Sequence, residues 1–441
     1  EKNQTSGKAD ANITHSGQPA YPSLRISTGI RRGFVLKTIK KHAFLKPIFH
    51  YMQQEKQSFW EKEPTFALSN IKHQSKKHEK KHFYFSLHLN LVPHKLISQK
   101  MPDYTAYLFA YFEGSGELAT QEQLRFAVSA DAVHWKALNG NRPVIPSDEI
   151  SQTGGIRDPH ILRGEDGHSF YITATDMFTR KNGWEYNPGI VLLKSGNLTD
   201  WTHGIIDLEK SYPEKFAHIK WVWAPQTIYD PEARKYLVYF TVRFEYDTAL
   251  NFYCAYANED FTAFENEPQL MFAPKYGAID GDIIHKDGTY HFFYKGNTKD
   301  RNGKELKSGI QQATAPSLRG PWKEHFAYLD AYAGTRTHVE GSSIFKLNDS
   351  DEYILMYDLY SSGRYEFQRS KDLIHFSSKP ETFVKDFHPR HGSVIGITRE
   401  EAISLDQRWG GVPEEAKKHK IQQQCQNNPK IRRWNRNTQS L

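Results

Sequence analysis

Three acidic residues stand at the entrances to runs that read as buried strands: Asp158 in "GGIRDPHIL", Asp280 in "AIDGDII" and Glu340 in "VEGSSIF". A carboxylate withdrawn from water there costs free energy unless it is paired, hydrogen-bonded or neutral. Three such groups near one another repel, which raises at least one pKa. One protonated and one ionised carboxyl in the same cleft are what general acid and base chemistry needs. Taken singly, each acid fits an Asx turn, a strand-start cap or a surface charge equally well. The three become candidates together only if the chain brings them to one place.

The elements that would do so form a repeat. Its closing signature is a small polar cluster ending in an aromatic: "SADAVHW" at Trp135, "SGNLTDW" at Trp201, "NEDFTAF" at Phe264, "APSLRGPW" at Trp322 and "SKDLIHF" at Phe376, at intervals of 66, 63, 58 and 54 residues. Its opening signature is a short polar step into a β-rich run: "IRDPHIL", "WAPQTIY", "AIDGDII", "VEGSSIF" and "RHGSVIG". Between them, stretches such as "DPEARKYLVYFTV" and "HKDGTYHFFYKG" place turn residues ahead of alternating aromatics, the pattern of hairpins. Five four-stranded units predict a five-bladed β-propeller, with an unrepeated β-sandwich as the plainer alternative. The fifth opening has no strands after it, whereas "YTAYLFAYF", "QLRFAVSA" and "HWKAL" precede the first. The N-terminal strands are therefore expected to complete the fifth blade around the C-terminal innermost strand. Innermost strands of a propeller line one channel, so the equivalent positions Asp158, Ala224, Asp280, Glu340 and His391 are expected around one ring.

Charge divides the 441-residue chain in the same way. Residues 103–410 carry a net charge of −10 and the flanks a net charge of +17, so the overall +7 belongs to the ends. The sequence predicts a basic N-terminal flank over 1–102, poorly ordered or partly helical, a single propeller domain over 103–410, and a basic, disordered tail over 411–441. Solvated charge runs account for such flanks, and no nucleic-acid partner is expected. No run of 18 apolar residues occurs, so no membrane span is expected. The lysines in "GFVLKTIKKHAFLKPIFHYM" interrupt the apolar core that a signal peptide would need. Two cysteines, Cys254 and Cys425, are too few for a disulfide framework or a zinc site.

In order and spacing, "RDP", "AIDGD" and "VEG" followed by "RHGSV", with "RPVIP" ahead of the first, resemble the motifs of glycoside hydrolase family 43, five-bladed propellers acting on furanosides and xylosides. The resemblance covers about residues 103–410. It implies that Asp158 is the general base that activates water, that Glu340 is the general acid, and that Asp280 orients the acid and raises its pKa. It also implies inversion at the anomeric carbon, with the two reacting carboxyls about 6.5–9.5 Å apart. Asp282 is the lesser candidate for the third carboxylate, because it falls inside the strand. The family's usual proline after that carboxylate is Gly281 here, and Gly341 and Ser342 follow the acid.

His391 in the fifth position is expected to contact the sugar or to stand by a hydrated structural calcium in the channel, although a channel histidine bonded to water fits as well. No cofactor is required for the chemistry. Trp223, Trp184 and Arg364 are candidate sugar contacts, since sugars offer CH faces to rings and hydroxyls to fork donors. Blade-to-blade packing is the alternative for each tryptophan.

The expected activity is exo-hydrolysis of terminal α-L-arabinofuranosyl residues, with β-xylosidase or β-galactofuranosidase on the same scaffold. From other classes come a non-catalytic carbohydrate-binding propeller and a fructofuranosidase, the latter disfavoured because Arg157 stands where its motif has Asn. A polysaccharide substrate implies export to the periplasm or medium. Oligomeric state is left open.

Overall fold

The computed structural model describes residues 102–419, apart from 115–119, 248, 297–308, 333–334 and 336. The expectations for residues 1–101 and 420–441 lie outside the described residues. Among those described, no helix is long and apolar enough to cross a membrane.

Among the described residues twenty-one strands fall into five antiparallel-based sheets. Strands β1 (Tyr104–Tyr111), β2 (Arg125–Ser129) and β3 (His134–Ala137) come first. Blade one is β4 (Ile156–Arg163), β5 (Phe170–Asp176), β6 (Gly189–Ser195) and β7 (Thr202–Asp207). Blade two is β8 (Ile219–Asp230), β9 (Lys235–Phe244), β10 (Asn251–Tyr256) and β11 (Gln269–Phe272). Blade three is β12 (Ala278–Lys286), β13 (Thr289–Gly296), β14 (Gly309–Ala315) and β15 (Lys323–His325). Blade four is β16 (Glu340–Lys346), β17 (Tyr353–Leu359), β18 (Arg364–Ser370) and β19 (Glu381–Thr382). The fifth sheet runs β20 (Val384–Lys385), β3, β2, β1, β21 (Ser393–Thr398), so strands from both ends of the domain share it. There β1 pairs antiparallel with β21, and β20 adds an outermost strand parallel to β3. The innermost strands β4, β8, β12, β16 and β21 meet in a ring, the last lying against the first. The protein is a five-bladed β-propeller.

The repeated sequence signatures have physical causes. Ser129, Ser195 and Ser370 are each followed two residues on by Asp131, Asn197 and Asp372, whose side-chain oxygens accept backbone N–H groups of the turn that follows, from Val133 and His134, Thr199 and Asp200, and Ile374 and His375. Ala132, Leu198 and Leu373 then take a left-handed backbone at φ 63°, 67° and 64°. The indoles of Trp135 and Trp201 donate back to the carbonyls of Ala132 and Leu198, closing the turn and explaining why the signature ends in an aromatic. "KDGT" is a two-residue hairpin with Asp287 and Gly288 at φ 50° and 79°, the pairing that matches strand twist.

Neighbouring blades are pinned in the channel just inside the mouth. Backbone N–H groups of Ile161, Thr227, Ile283 and Ile344 donate to Ser393 Oγ (2.6 Å), His160 Nδ1 (3.3 Å), Tyr239 Oη (2.9 Å) and Asp282 Oδ2 (2.8 Å), each on the adjacent blade.

Two features depart from expectation. A helix, Arg399–Trp409, follows β21; it opens with a capping box between Thr398 and Glu401 and buries Ala402 and Leu405. The tail expected to be disordered from residue 411 is ordered through Lys418: Val412 and Ala416 are buried in the core, and Thr105 Oγ1 donates to Ala416 O at 3.1 Å. Apolar side chains spaced four apart in this short segment give it something to bury, which the charge count concealed.

Candidate active site

Each innermost strand carries a bulge at its entrance, where two residues face one on the neighbouring strand. The pairing jumps from Arg157 to His160, from Trp223 to Gln226, from Ile279 to Asp282 and from Glu340 to Ser343. In β21 the corresponding step lies between Arg390, whose N–H bonds Phe112 O, and Ser393 opposite Ala110. The first bulged residue is left-handed in four blades: Asp158 (φ 51°), Ala224 (47°), Asp280 (54°) and Gly341 (65°). His391 fills the fifth place. The equivalent of Asp158 and Asp280 in blade four is therefore Gly341, and the expectation that Glu340 aligns with them is corrected. Glu340 belongs to the row one step earlier, with Arg157, Trp223, Ile279 and Arg390. A bulge re-aims side chains, so this offset separates the carboxylates into two levels. Non-glycine residues held at positive φ mark sites where structure is spent on geometry.

The offset does not scatter the acids. His391 Nδ1 lies 3.5 Å from Asp158 Oδ1 and 3.9 Å from Asp280 Oδ1, bridging the two. Asp280 Oδ2 accepts the backbone N–H of Gly341 at 2.9 Å, and Ser342 Oγ donates to Asp280 O at 2.6 Å. Asp280 thereby anchors the very bulge that presents Glu340. Thr175 Oγ1 donates to Asp158 Oδ2 at 3.0 Å. Glu340 is gripped from both sides, by Lys295 Nζ at 2.9 Å and Arg390 Nη2 at 3.0 Å, and Arg390 Nε also donates to Asp358.

Burial disfavours every charge here, and the neighbours decide the sign. For Asp158 the contact with His391 and the charge of Arg157 outweigh burial and hold its pKa below the usual range. Asp280 is pushed up to about 6, by burial first and then by Glu340 and Asp158, against the pull of His391. For Glu340 the cations Lys295 and Arg390 outweigh burial, and its pKa falls below the ordinary value. The carboxyl that is raised is Asp280, whereas the sequence led to the expectation that Asp280 raises Glu340. His391 rises to about 9, because Asp158 and Asp280 overcome its burial.

The remaining expected residues divide. Asp282 is structural, accepting Ile344 N–H and lying 3.7 Å from His160 Nε2. A Cβ on Gly281 would come within 2.3 Å of the Phe292 ring, which accounts for glycine at this step. Trp223 stands in the same row as Glu340; Trp221 stacks on it at 4.4 Å, and Trp184 meets it edge-on at 6.3 Å. Arg364 is directed to Glu366 (2.9 Å) and over the Tyr332 ring, half exposed, and is not among the partners of the three acids. The cations at the carboxylates are Lys295 and Arg390. Neither they nor Asp358 were anticipated, although a lone lysine in "HFFYKG" and a lone aspartate in "ILMYDLY" each interrupt a buried aromatic strand.

Residues 102–402 match the family model described as "Probable glycosyl hydrolase domain", a group related to glycoside hydrolase family 43. The chain belongs to this family. A curated relative, an alpha-L-arabinofuranosidase of Bifidobacterium longum subsp. longum, is 25% identical over 295 residues, which is 59% of this chain and 27% of the relative. The chain thus spans about a quarter of that relative's length. Among solved structures, an alpha-L-arabinofuranosidase from Clostridium thermocellum is 12% identical with a TM-score of 0.47, covering 67% of this chain and 97% of that one. An exo-beta-1,3-galactanase from Phanerochaete chrysosporium is 14% identical with a TM-score of 0.46, covering 62% and 60%.

In the channel of this family-43-related propeller the described residues offer no direct side-chain ligand set for calcium. Calcium takes six to eight oxygen ligands, and among the described residues no group of three or more His, Cys, Asp or Glu could hold a metal ion. His391, with its raised pKa between two carboxylates, is a cation itself near neutral pH.

Proposed function

We propose that the propeller is an inverting exo-glycosidase that releases terminal α-L-arabinofuranosyl residues from plant-type poly- or oligosaccharides. The observation that carries the reading is the joining of Asp158, Asp280 and Glu340 at one mouth through His391 and the Gly341 N–H. Family membership and the name of the curated relative favour the reaction class and the sugar.

In this reading Asp158, held ionised, takes a proton from water as the water oxygen attacks the anomeric carbon. Glu340 gives its proton to the glycosidic oxygen as the carbon–oxygen bond breaks, and the leaving sugar departs as an alcohol. Asp280 fixes the strand entrance that carries Glu340. Lys295 and Arg390 lower the pKa of Glu340, so in this reading substrate loosens their grip before the proton is loaded.

A panel of p-nitrophenyl glycosides with wild type, Asp158→Ala and Glu340→Ala tests this. The α-L-arabinofuranoside should be the substrate turned over; Asp158→Ala should cost about 10²–10⁴-fold, and Glu340→Ala less, because p-nitrophenolate leaves with little help from an acid. Turnover of the xyloside or galactofuranoside instead would move the sugar assignment. Activity that survives both substitutions, or a wild type that binds glycans without turnover, would end the catalytic reading.

A further inference from the structure

Asp358 lies directly across from Glu340 in the β16–β17 pairing. Its side chain is 1% exposed, and one guanidinium serves both acids: Arg390 Nε donates to Asp358 Oδ2 while Nη2 reaches Glu340 Oε1. The other oxygen of Asp358 is buried without a hydrogen-bond partner. Its burial is therefore compensated through Arg390, and leaving either member alone would strand a buried charge.

We propose that Asp358 is a positioning residue that occupies one arm of Arg390, so that Glu340 receives a single prong of the guanidinium and stays able to gain and lose the leaving-group proton. The proposal rests on Glu340 being the general acid.

The physical case is one of competition. A guanidinium offers a carboxylate two parallel bonds, and the bidentate pair is the strong one. Lys295 already holds Glu340 Oε2. A two-pronged Arg390 added to it would fix Glu340 as an anion through the whole catalytic cycle. Asp358 diverts Nε, and its own charge disfavours a second negative charge on Glu340. The repulsion is mutual: burial first, then Glu340, raise Asp358 to about 6 against the pull of Arg390. The position is not generic to the fold. Across from the same row, blades one, two and three carry Thr175, Thr241 and Lys295. Only the blade that bears Glu340 places an acid there among these four.

Leaving-group chemistry separates this role from a merely structural one. A 2,4-dinitrophenyl glycoside departs without protonation, whereas a phenyl glycoside needs the acid. In the full chain, Asp358→Asn should lower kcat on phenyl α-L-arabinofuranoside about tenfold and on the dinitrophenyl compound less than threefold. The alkaline limb of kcat/KM on the phenyl compound should move to lower pH. Should Asp358→Asn fail to fold by its circular dichroism melt, Asp358→Ser likewise frees the Arg390 Nε and should show the same selectivity. Equal losses on both leaving groups with an unmoved pH limb, in whichever variant folds, would overturn the proposal. Glu340→Gln run beside them guards the premise: if it spares the phenyl compound, Glu340 is not the acid, and the proposal falls with that reading.

Discussion

At the scale of single residues, the free energy of this site turns on Asp280. An aspartate in an unfolded chain titrates near 3.9, and burial with two neighbouring carboxylates lifts it to about 6 in the folded protein. Between those values the native state binds more protons than the unfolded one, so stability falls as pH rises through the window and stays low above it. Asp280→Asn removes the ionisation and keeps an oxygen to accept the Gly341 N–H. His391 works the other way. Its pKa is raised to about 9 partly by Asp280, so its stabilising charge pair, present at low pH and lost as pH rises through 9, is weakened by the substitution. The balance should leave Asp280→Asn about 1–3 kcal/mol more stable than wild type at pH 7, with the advantage gone near pH 4 and turnover lost. Urea denaturation at the two pH values reads this directly. A variant less stable than wild type at pH 7 would show that the carboxylate is net stabilising as an anion.

At the scale of elements, the bulge and its glycines set where side chains point. Gly392 is the second bulged residue of the fifth blade, and a Cβ there would come 2.1 Å from Ala110 O on β1. Gly392→Ala has to push the N-terminal strand off β21, where the two ends of the domain meet. Overpacking of this kind costs about 3 kcal/mol, and a thermal melt should drop accordingly, whereas an unchanged melting temperature would mean that β1 yields freely. The same bulge explains what could be read in advance. Radial repetition, hairpin turns and the sharing of the fifth blade follow from turn residues and alternation, which are local. A period of two cannot say which of two bulged residues faces the mouth, so Glu340 was placed in the row of Gly341. Arg390 was in plain view beside His391, but a charge next to a motif reads as a solvated face until its partners are known. The helix Arg399–Trp409 carries its own signals in Thr398, Glu401 and Gly410, a capping box and a glycine stop.

At the scale of the whole molecule, the five blades are unequal at the mouth. Five residues of β8, Ile219–Trp223, precede its bulge, against two in β4, two in β12 and one in β16. At about 3.3 Å per residue the second blade rises roughly 10 Å above its neighbours on one side of the carboxylates. Trp221 and Trp223, two apart, share a face of this wall. The loop bearing Trp184 is stitched to it by the Trp221 indole N–H, which donates to Trp184 O at 2.8 Å, and by backbone bonds between Asn187 and β8. Arg157 backs the Trp184 ring at 4.9 Å, and 40% of that residue is open. The nearby cations Arg157 and Lys220 are paired with Glu122 at 2.6 Å and Glu185 at 3.3 Å, and Arg243 lies over the Trp221 ring at 4.4 Å, which leaves the Trp184 ring as the open one. If the leaving chain of a neutral polymer runs along this wall, an aryl leaving group does not reach as far. Losing one ring contact costs on the order of 1.4 kcal/mol, or tenfold. Trp184→Ala should therefore lower kcat/KM on debranching of arabinan or arabinoxylan about tenfold relative to its effect on p-nitrophenyl α-L-arabinofuranoside. Equal losses on polymer and aryl glycoside would place Trp184 at the cleaved sugar itself, and no loss on either would leave it to brace Arg157.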